Sequence, residues 1–462
     1  MNKLIFIICF FITSKMLFAQ KITGSWAVEL DIQGTKLPLI FNIKQDDNKY
    51  SSTFDSPAQG AAAIPVAKTT FVNNELILDA NNLGILYKGS YENDQISGTF
   101  TQGEMTIPMV LTRKNSVDIV IKRPQTPKAP FDYNMSEILI VNPTEKNTLA
   151  GTLTTPRDKK EFPIVILITG SGQQNRDEEL FNHKPFWVIA DDFAKKGIGV
   201  LRLDDRGIGG STNGNKNPTS QNFASDIDAA VNYLSNKGFK KIGLIGHSEG
   251  GMIATMAACE NKKVSFIITM AGPGIATDQL LLLQAAALAK ANGVSPEEIK
   301  TNAELSQKIY DKIARFTGTE LQTELKILLN EAVKKLPKNQ LPPEDKIEEL
   351  VNSQIKQVSS PWFVYFLKWN PNTYWSKLKL PVLALNGSLD LQVTARENLA
   401  GIKNNLEKAK NKNFETLEMP GLNHLFQEAK TGSVAEYSQL EQTISPTVLD
   451  KMSTWILKKI DL

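Results

Sequence analysis

Six short, mostly apolar runs, at residues 164–168, 199–203, 242–245, 266–270, 382–385 and 414–419, restrict the possible folds of this chain more than any other feature. Runs of this length without a regular polar alternation suit strands buried on both faces of a parallel sheet. Helical patterns lie between several of them, for example at 186–196 and 223–236. Strands that alternate with helices imply βαβ units, so the expected class is α/β with a mostly parallel, doubly wound sheet. Segments 138–141 and 149–153 are expected to add an antiparallel lead-in.

One interval breaks the rhythm. Residues 275–378 contain no buried-strand run, only helical patterns such as 280–291 and 321–335. Ser295-Pro296-Glu297-Glu298 reads as a helix start, with a capping serine, a proline at the first helical position and a glutamate three residues on. Because the interval separates two core strands, it is expected to be an inserted helical cap over the carboxyl ends of the strands, where ligands bind in such sheets. A structural subdomain away from any site is the alternative. The sheet domain is then expected at 135–274 and 379–462.

The first part of the chain differs. Residues 20–120 show short alternating segments, at 37–44, 76–78, 95–100 and 106–112, broken by turn signals such as Asn73-Asn74 and Glu92-Asn93-Asp94. They read as a small antiparallel, barrel-like β domain. Its opening, Gly24-Ser25-Trp26, resembles the Gly-x-Trp start of lipocalin-like barrels. An accessory role in packing or homo-oligomerisation is favoured over a ligand-binding cup. Residues 121–134, with Pro124, Pro127 and Pro130, read as a linker.

Residues 1–19 read as a signal peptide: Lys3 is followed by an apolar run too short to span a bilayer comfortably, and Ala19 precedes a candidate cleavage point. The expected location is periplasmic or secreted, with no stable membrane insertion once the leader is removed; an uncleaved N-terminal anchor is the alternative. Only Cys259 then remains, so no internal disulfide is available. Formal net charge is +3 with acids and bases intermixed, and no basic patch interleaved with aromatics points to nucleic acid.

The strongest chemical signal is Gly246-His247-Ser248-Glu249-Gly250. The bare pattern is weak, but here it follows an apolar strand and precedes a helical stretch. That is the setting a nucleophile elbow requires. A serine hydroxyl is a poor nucleophile without an adjacent base, and the chain has three histidines. His247, next to Ser248, is expected to point away from it in a structural role. His183 is a candidate for the mouth of the site. His424, in Pro420-Gly421-Leu422-Asn423-His424, follows the last strand and is the expected base. Asp390 follows the strand before it and is the expected orienting acid; Glu397 and Glu418 fall within a helix and a strand.

The tetrahedral intermediate needs preorganised donors, each worth about 3 kcal/mol. The backbone N–H of Glu249 is one candidate. Thr169-Gly170-Ser171-Gly172 supplies the second, from Ser171 or alternatively Gly172. The Glu249 side chain is expected in solvent. Trp362 and Phe363 belong to an aromatic cluster in the insertion and are candidate pocket residues, with simple packing as the alternative. Arg206 is expected to anchor its loop against nearby acids. No metal-ligand spacing, dinucleotide fingerprint or GK[ST] loop is present, so no cofactor is expected.

These motifs, together with Asp204-Asp205-Arg206-Gly207-Ile208-Gly209-Gly210-Ser211 and Asn386 to Asp390, resemble the α/β-hydrolase pattern over roughly the last two thirds of the chain. The whole looks like the bacterial exported esterases with a helical cap and an N-terminal β domain, close to the serine aminopeptidase group. The resemblance implies hydrolysis of a small-molecule carboxylic ester without a cofactor. Thr169 stands where that pattern often carries a histidine before the oxyanion loop. Two other functions remain open at this stage: a serine exopeptidase of the same fold, and a catalytically silent binding protein.

Overall fold

The computed structural model describes residues 22–459 except 33–34, 47–48, 57–60, 81–83, 103–104, 114–121, 337–340 and 342. The expected leader lies outside the described residues. The chain divides into two compact units, Met1–Val120 and Ile121–Leu462.

In the first unit, strands β1 (Gly24–Ile32), β2 (Thr35–Asp46), β3 (Lys49–Ser56), β4 (Ala61–Pro65), β5 (Lys68–Val72), β6 (Glu75–Ala80), β7 (Ile85–Glu92), β8 (Gln95–Gln102) and β9 (Met105–Arg113) form one antiparallel sheet. Its order is β4-β3-β2-β1-β9-β8-β7-β6-β5, so the meander returns onto its own first strand. Val66 N–H donates to the Ser52 carbonyl at 2.9 Å and the Ser52 and Thr69 hydroxyls bond at 2.6 Å, drawing β5 toward β3 and curling the sheet into a half-barrel. Trp26, Phe41, Leu76, Tyr87 and Phe100 fill its concave face. These residues form a packed core. Sequence patterning missed β3 because its inward positions include Ser52 and Ser56 as well as Phe54; small hydroxyl residues do not register as an apolar face.

The second unit carries an eight-stranded sheet in the order β10-β11-β13-β12-β14-β15-β16-β17. The hairpin β10 (Tyr133–Asn142) and β11 (Asn147–Pro156) joins antiparallel to β13 (Gly199–Leu203). From β13 onward, β12 (Ile164–Ile168), β14 (Ile242–His247), β15 (Val264–Met270), β16 (Val382–Gly387) and β17 (Phe414–Met419) run parallel. Strands β12 to β14 and β16 are buried at every residue, the condition that made them readable as near-continuous apolar runs. Helices α2 (Ser220–Asn236), α3 (Glu249–Glu260) and α10 (Ala395–Lys408) pack on one face. Helices α1 (Pro185–Lys195) and α12 (Pro446–Lys459) pack on the other, and a short α11 (Val434–Tyr437) precedes α12.

Between β15 and β16 the chain forms α4 (Thr277–Ala291), α5 (Pro296–Arg315), α6 (Gly318–Lys334), α7 (Glu344–Val358), α8 (Pro361–Lys368) and α9 (Pro371–Trp375). The capping box at Ser295 and Glu298 forms as its residue types require. These helices have a small core of their own around Ile313, Leu325 and Ile355. They are tied to the sheet by Phe366, Trp369 and Trp375, which join the main core. Among the described residues no helix is long and apolar enough to cross a membrane.

Residues 122–132 correct the linker expectation. Arg123 donates to the carbonyls of Phe181, Ser438 and Leu440. The Gln125 side chain bonds the backbone of Thr443 and Ile444. The segment turns at Arg123–Thr126, and the side chains of Arg123 and Gln125 fasten it to the second unit, which begins at Ile121.

Candidate active site

The carboxyl ends of the parallel strands place four loops side by side. Ile168 of β12 lies in register with Gly246 of β14, which sets residues 169–172 beside 247–248. Gly387 of β16 pairs with Met419 of β17, which sets the Asp390 loop beside the His424 loop.

Ser248 sits between β14 and α3 with φ 52° and ψ −122°. A non-glycine residue in this region is strained, and such strain persists only where the surroundings over-determine it. The two glycines make the turn sterically possible: a Cβ on Gly246 would overlap the Gly250 carbonyl, and one on Gly250 would overlap the Ile168 carbonyl. Ser248 N–H donates to Met270 O at 2.8 Å, fixing the turn to the next strand. As the first residue of α3, Glu249 has an N–H with no acceptor inside the helix.

Asp390 and His424 are buried together, with Nδ1 of His424 2.8 Å from Oδ2 of Asp390. The other Asp390 oxygen accepts from the N–H groups of Gln392 (2.8 Å) and Val393 (2.9 Å), and Asn386 Nδ2 donates to Oδ2 at 3.0 Å. The carboxylate is thus held in one orientation, and it fixes the proton of the ring on Nδ1, leaving Nε2 as the acceptor. Among the described residues neither Nε2 of His424 nor Oγ of Ser248 makes a hydrogen bond; the two loops are brought together instead by Nε2 of His247, 2.9 Å from the His424 carbonyl oxygen.

On the other side of Ser248 the loop after β12 closes in. Gly170 lies so near that a Cβ there would come within 3.2 Å of the Ser248 Cβ. Its N–H is taken by the Glu178 carboxylate at 2.8 Å, whereas the N–H groups of Ser171 and Gly172 make no hydrogen bond among the described residues. A cavity of about 420 Å³ adjoins this loop, lined by Gly170, Ser171, Gly172, Asp205, Phe223, Glu249 and Trp362 among others.

Three expectations need correction. The Glu249 side chain is buried, not solvated: it accepts from Ser220 Oγ (2.6 Å) and Trp362 Nε1 (3.0 Å). Burial holds its carboxyl above the usual range despite those donors. His183 is not at the mouth of the site. It is buried behind the His424 loop, where its ring nitrogens meet Thr443 Oγ1 (2.9 Å), the Tyr437 carbonyl (3.0 Å) and the Gln427 amide (3.1 Å). Burial, aided by nearby Arg123, pushes it down to about 4. Phe363 packs against the insertion's own core with its ring tilted against Tyr310, so of the two cap aromatics only Trp362 lines the cavity.

Arg206 behaves as expected of an anchor: fully buried, it pairs with Asp226 (2.8 Å) and Glu145 (3.0 Å) and donates to the Asn222 carbonyl. Residues that sequence reasoning passed over are Arg176, Glu178 and Asp205. Arg176 forks onto Asp204. Asp205 accepts from Thr169 Oγ1 and Gln174 N–H, and burial, reinforced by Glu178 and Asp226, raises it to about 7. The available signal was the charged run Arg176-Asp177-Glu178-Glu179 between a buried strand and a buried helix, where charges persist only if paired.

Comparison with known proteins follows the same outline. A family described as alpha/beta hydrolase fold matches residues 163–416. Esterase EstD of Thermotoga maritima is 24% identical over 382 residues, covering 81% of each chain. Among solved structures, an alpha/beta hydrolase from Penicillium aligns at 16% identity over 71% of this chain and 100% of its own, with a TM-score of 0.44. An esterase from Pyrococcus furiosus aligns at 17% identity over 71% and 92%, with a TM-score of 0.42.

Proposed function

Because this chain belongs to the alpha/beta hydrolase fold family, we propose that it is a serine hydrolase of carboxylic esters, with Ser248 as nucleophile, His424 as base and Asp390 orienting the base. The observation that carries this is the buried Asp390–His424 pair on the loops beside a Ser248 held at φ 52°. The likeness to a Thermotoga maritima esterase supports ester rather than other acyl substrates.

In the proposed reaction Ser248 Oγ attacks the ester carbonyl as its proton passes to Nε2 of His424. Asp390 stabilises the resulting imidazolium without taking the proton. The oxyanion accepts hydrogen bonds from the N–H of Glu249 and from Ser171 or Gly172; the occupied Gly170 N–H supports those two over Gly170. The proton returns to the departing alcohol oxygen, and water, activated by the same imidazole, releases the acid and regenerates Ser248.

Helix α8 supports the cap assignment, since Ser360, Pro361 and Trp362 form one wall of the cavity beside the oxyanion loop. The sequence of residues 1–19, a lysine followed by a short apolar run, supports a leader and with it a periplasmic or secreted location. A fluorophosphonate probe should label the native protein and not Ser248→Ala; absence of label on the native enzyme would remove the basis for this function. A panel of nitrophenyl esters of increasing chain length reads the acyl preference. The carboxyl side chains of Glu249 and Asp205 in the cavity lining support a second reading, an exopeptidase that takes a free amine there. Faster turnover of aminoacyl amides than of nitrophenyl esters would select it.

A further inference from the structure

Building on the assignment of Ser248 and His424 above, we propose that Glu178 and His247 form a positioning pair that fastens the oxyanion loop and the His424 loop to opposite sides of Ser248. A continuous chain of bonds runs through them. Oε1 of Glu178 accepts from Gly170 N–H at 2.8 Å and lies 3.0 Å from Nδ1 of His247. Nε2 of His247 lies 2.9 Å from the His424 carbonyl oxygen. One end of this chain is thus the backbone that precedes the candidate oxyanion donors, and the other is the backbone of the base itself.

The partners of His247 decide its charge. Both ring nitrogens face acceptors, a carboxylate oxygen and a carbonyl oxygen, and only an imidazolium has a proton for each. Burial opposes that charge most strongly, but Glu178, the His424 carbonyl and Asp390 together hold the ring above its usual range. The groups facing His247 are Glu178 from the loop after β12, and Asp390 and His424 from the loops after β16 and β17. Asp205, after β13, faces Glu178. Both members of the pair are almost fully buried, so removing one strands the other.

Two further features mark the arrangement as more than packing. Glu178 adopts φ +50°, a left-handed backbone that side-chain-bearing residues seldom take, and Phe181 and Asn182 in the same loop do so too. The ring centroids of His247 and His424 are 4.8 Å apart, so a cation at His247 opposes a second positive charge on His424. The pair therefore acts on the base both through its position and through its field.

The experiment compares Glu178→Gln, His247→Gln and His247→Asn with the native protein, with turnover expressed per serine titrated by a fluorophosphonate. Turnover per labelled serine should fall roughly tenfold to hundredfold, the scale of a displacement near 1 Å at a reacting centre, while KM stays within about threefold. The acidic limb of the pH profile should move up by about one unit, since each variant removes the cation beside His424. A purely structural pair would lower the melting temperature and leave both readouts at their native values; turnover per serine within twofold of native and an unmoved limb overturn the proposal. Failure of all three variants to fold likewise marks the pair as structural and overturns it. If the native protein carries no label, the assignment of Ser248 fails first and the pair has nothing to position; label on the native protein with unaffected variants rejects the pair alone.

Discussion

Asp390 and His424 show how little of a site is visible until neighbouring atoms are counted. An aspartate after a strand usually makes a turn; this one is buried with both oxygens occupied and one of them 2.8 Å from an imidazole. Replacing it as Asp390→Asn should preserve the fold and lower kcat by about 10⁴, with a much smaller change in KM, because the amide favours the wrong tautomer of His424; steady-state kinetics on the variant checks this. Two other residues make opposite contributions to acid and base stability. His183 titrates near 4 in the fold against 6.5 unfolded, so the stability it contributes is present above pH 6.5 and lost as pH falls toward 4. Asp205 titrates near 7 against 3.8; the fold holds a proton the unfolded chain has released, so stability falls as pH rises from about 4 to 7. The two slopes oppose one another in the native protein. Denaturant midpoints measured against pH should therefore diverge in the variants: Asp205→Asn should become relatively more stable than native as pH rises through that window, and His183→Gln relatively more stable as pH falls. Sequence position could nominate Ser248, Asp390 and His424 because loop order after strands is a one-dimensional property. It could not show that Glu249 turns inward or that His183 faces away from the cavity, because those depend on which donors happen to lie opposite.

Among elements, the insertion separates what periodicity can and cannot reveal. The α5 start was readable from four residues because a cap is a local bond pattern, and Ser295 with Glu298 forms it. Ser295→Ala should cost about 1 kcal/mol of stability, seen as a lower melting temperature with turnover unchanged. Helix α8 and the residue that follows it are different: their aromatic residues looked equivalent in the sequence, yet Trp362 reaches Glu249 while Phe366 and Trp369 enter the main core. Trp362→Phe keeps an aromatic side chain but removes the N–H donor and part of the wall, so KM for esters should rise by up to about tenfold with a smaller effect on kcat; kinetics with a short and a long acyl ester tests whether the loss follows the cavity wall. Strands β12 to β14 and β16 were legible since burial on both faces demands apolar residues almost throughout. The strands of the first unit were only partly so, since inward Ser52 and Ser56 erase the alternation that marks a half-buried strand.

Over the whole molecule, separate cores underlie two compact units: one cluster of buried residues in the first, and two sheet-face clusters plus the insertion's own in the second. Each buries its own large side chains, the condition for independent folding. A fragment spanning residues 122–462 should therefore retain ester hydrolysis at close to the native turnover, and calorimetry of the full chain should resolve two transitions; an inactive fragment with native-like circular dichroism would show that the first unit contributes to the reaction. The sequence by itself determined the class of the sheet, the order of its strands along the chain, the inserted helices and the loops on which Ser248, Asp390 and His424 stand, because apolar period and motif order are written in one dimension. The tertiary structure alone decided which buried charges pair: Glu178 with His247, Arg176 with Asp204, Arg206 with Asp226 and Glu145. Such pairings join residues far apart in the chain, and their stability comes from excluding water around both charges at once, a property no single segment possesses before the loops meet.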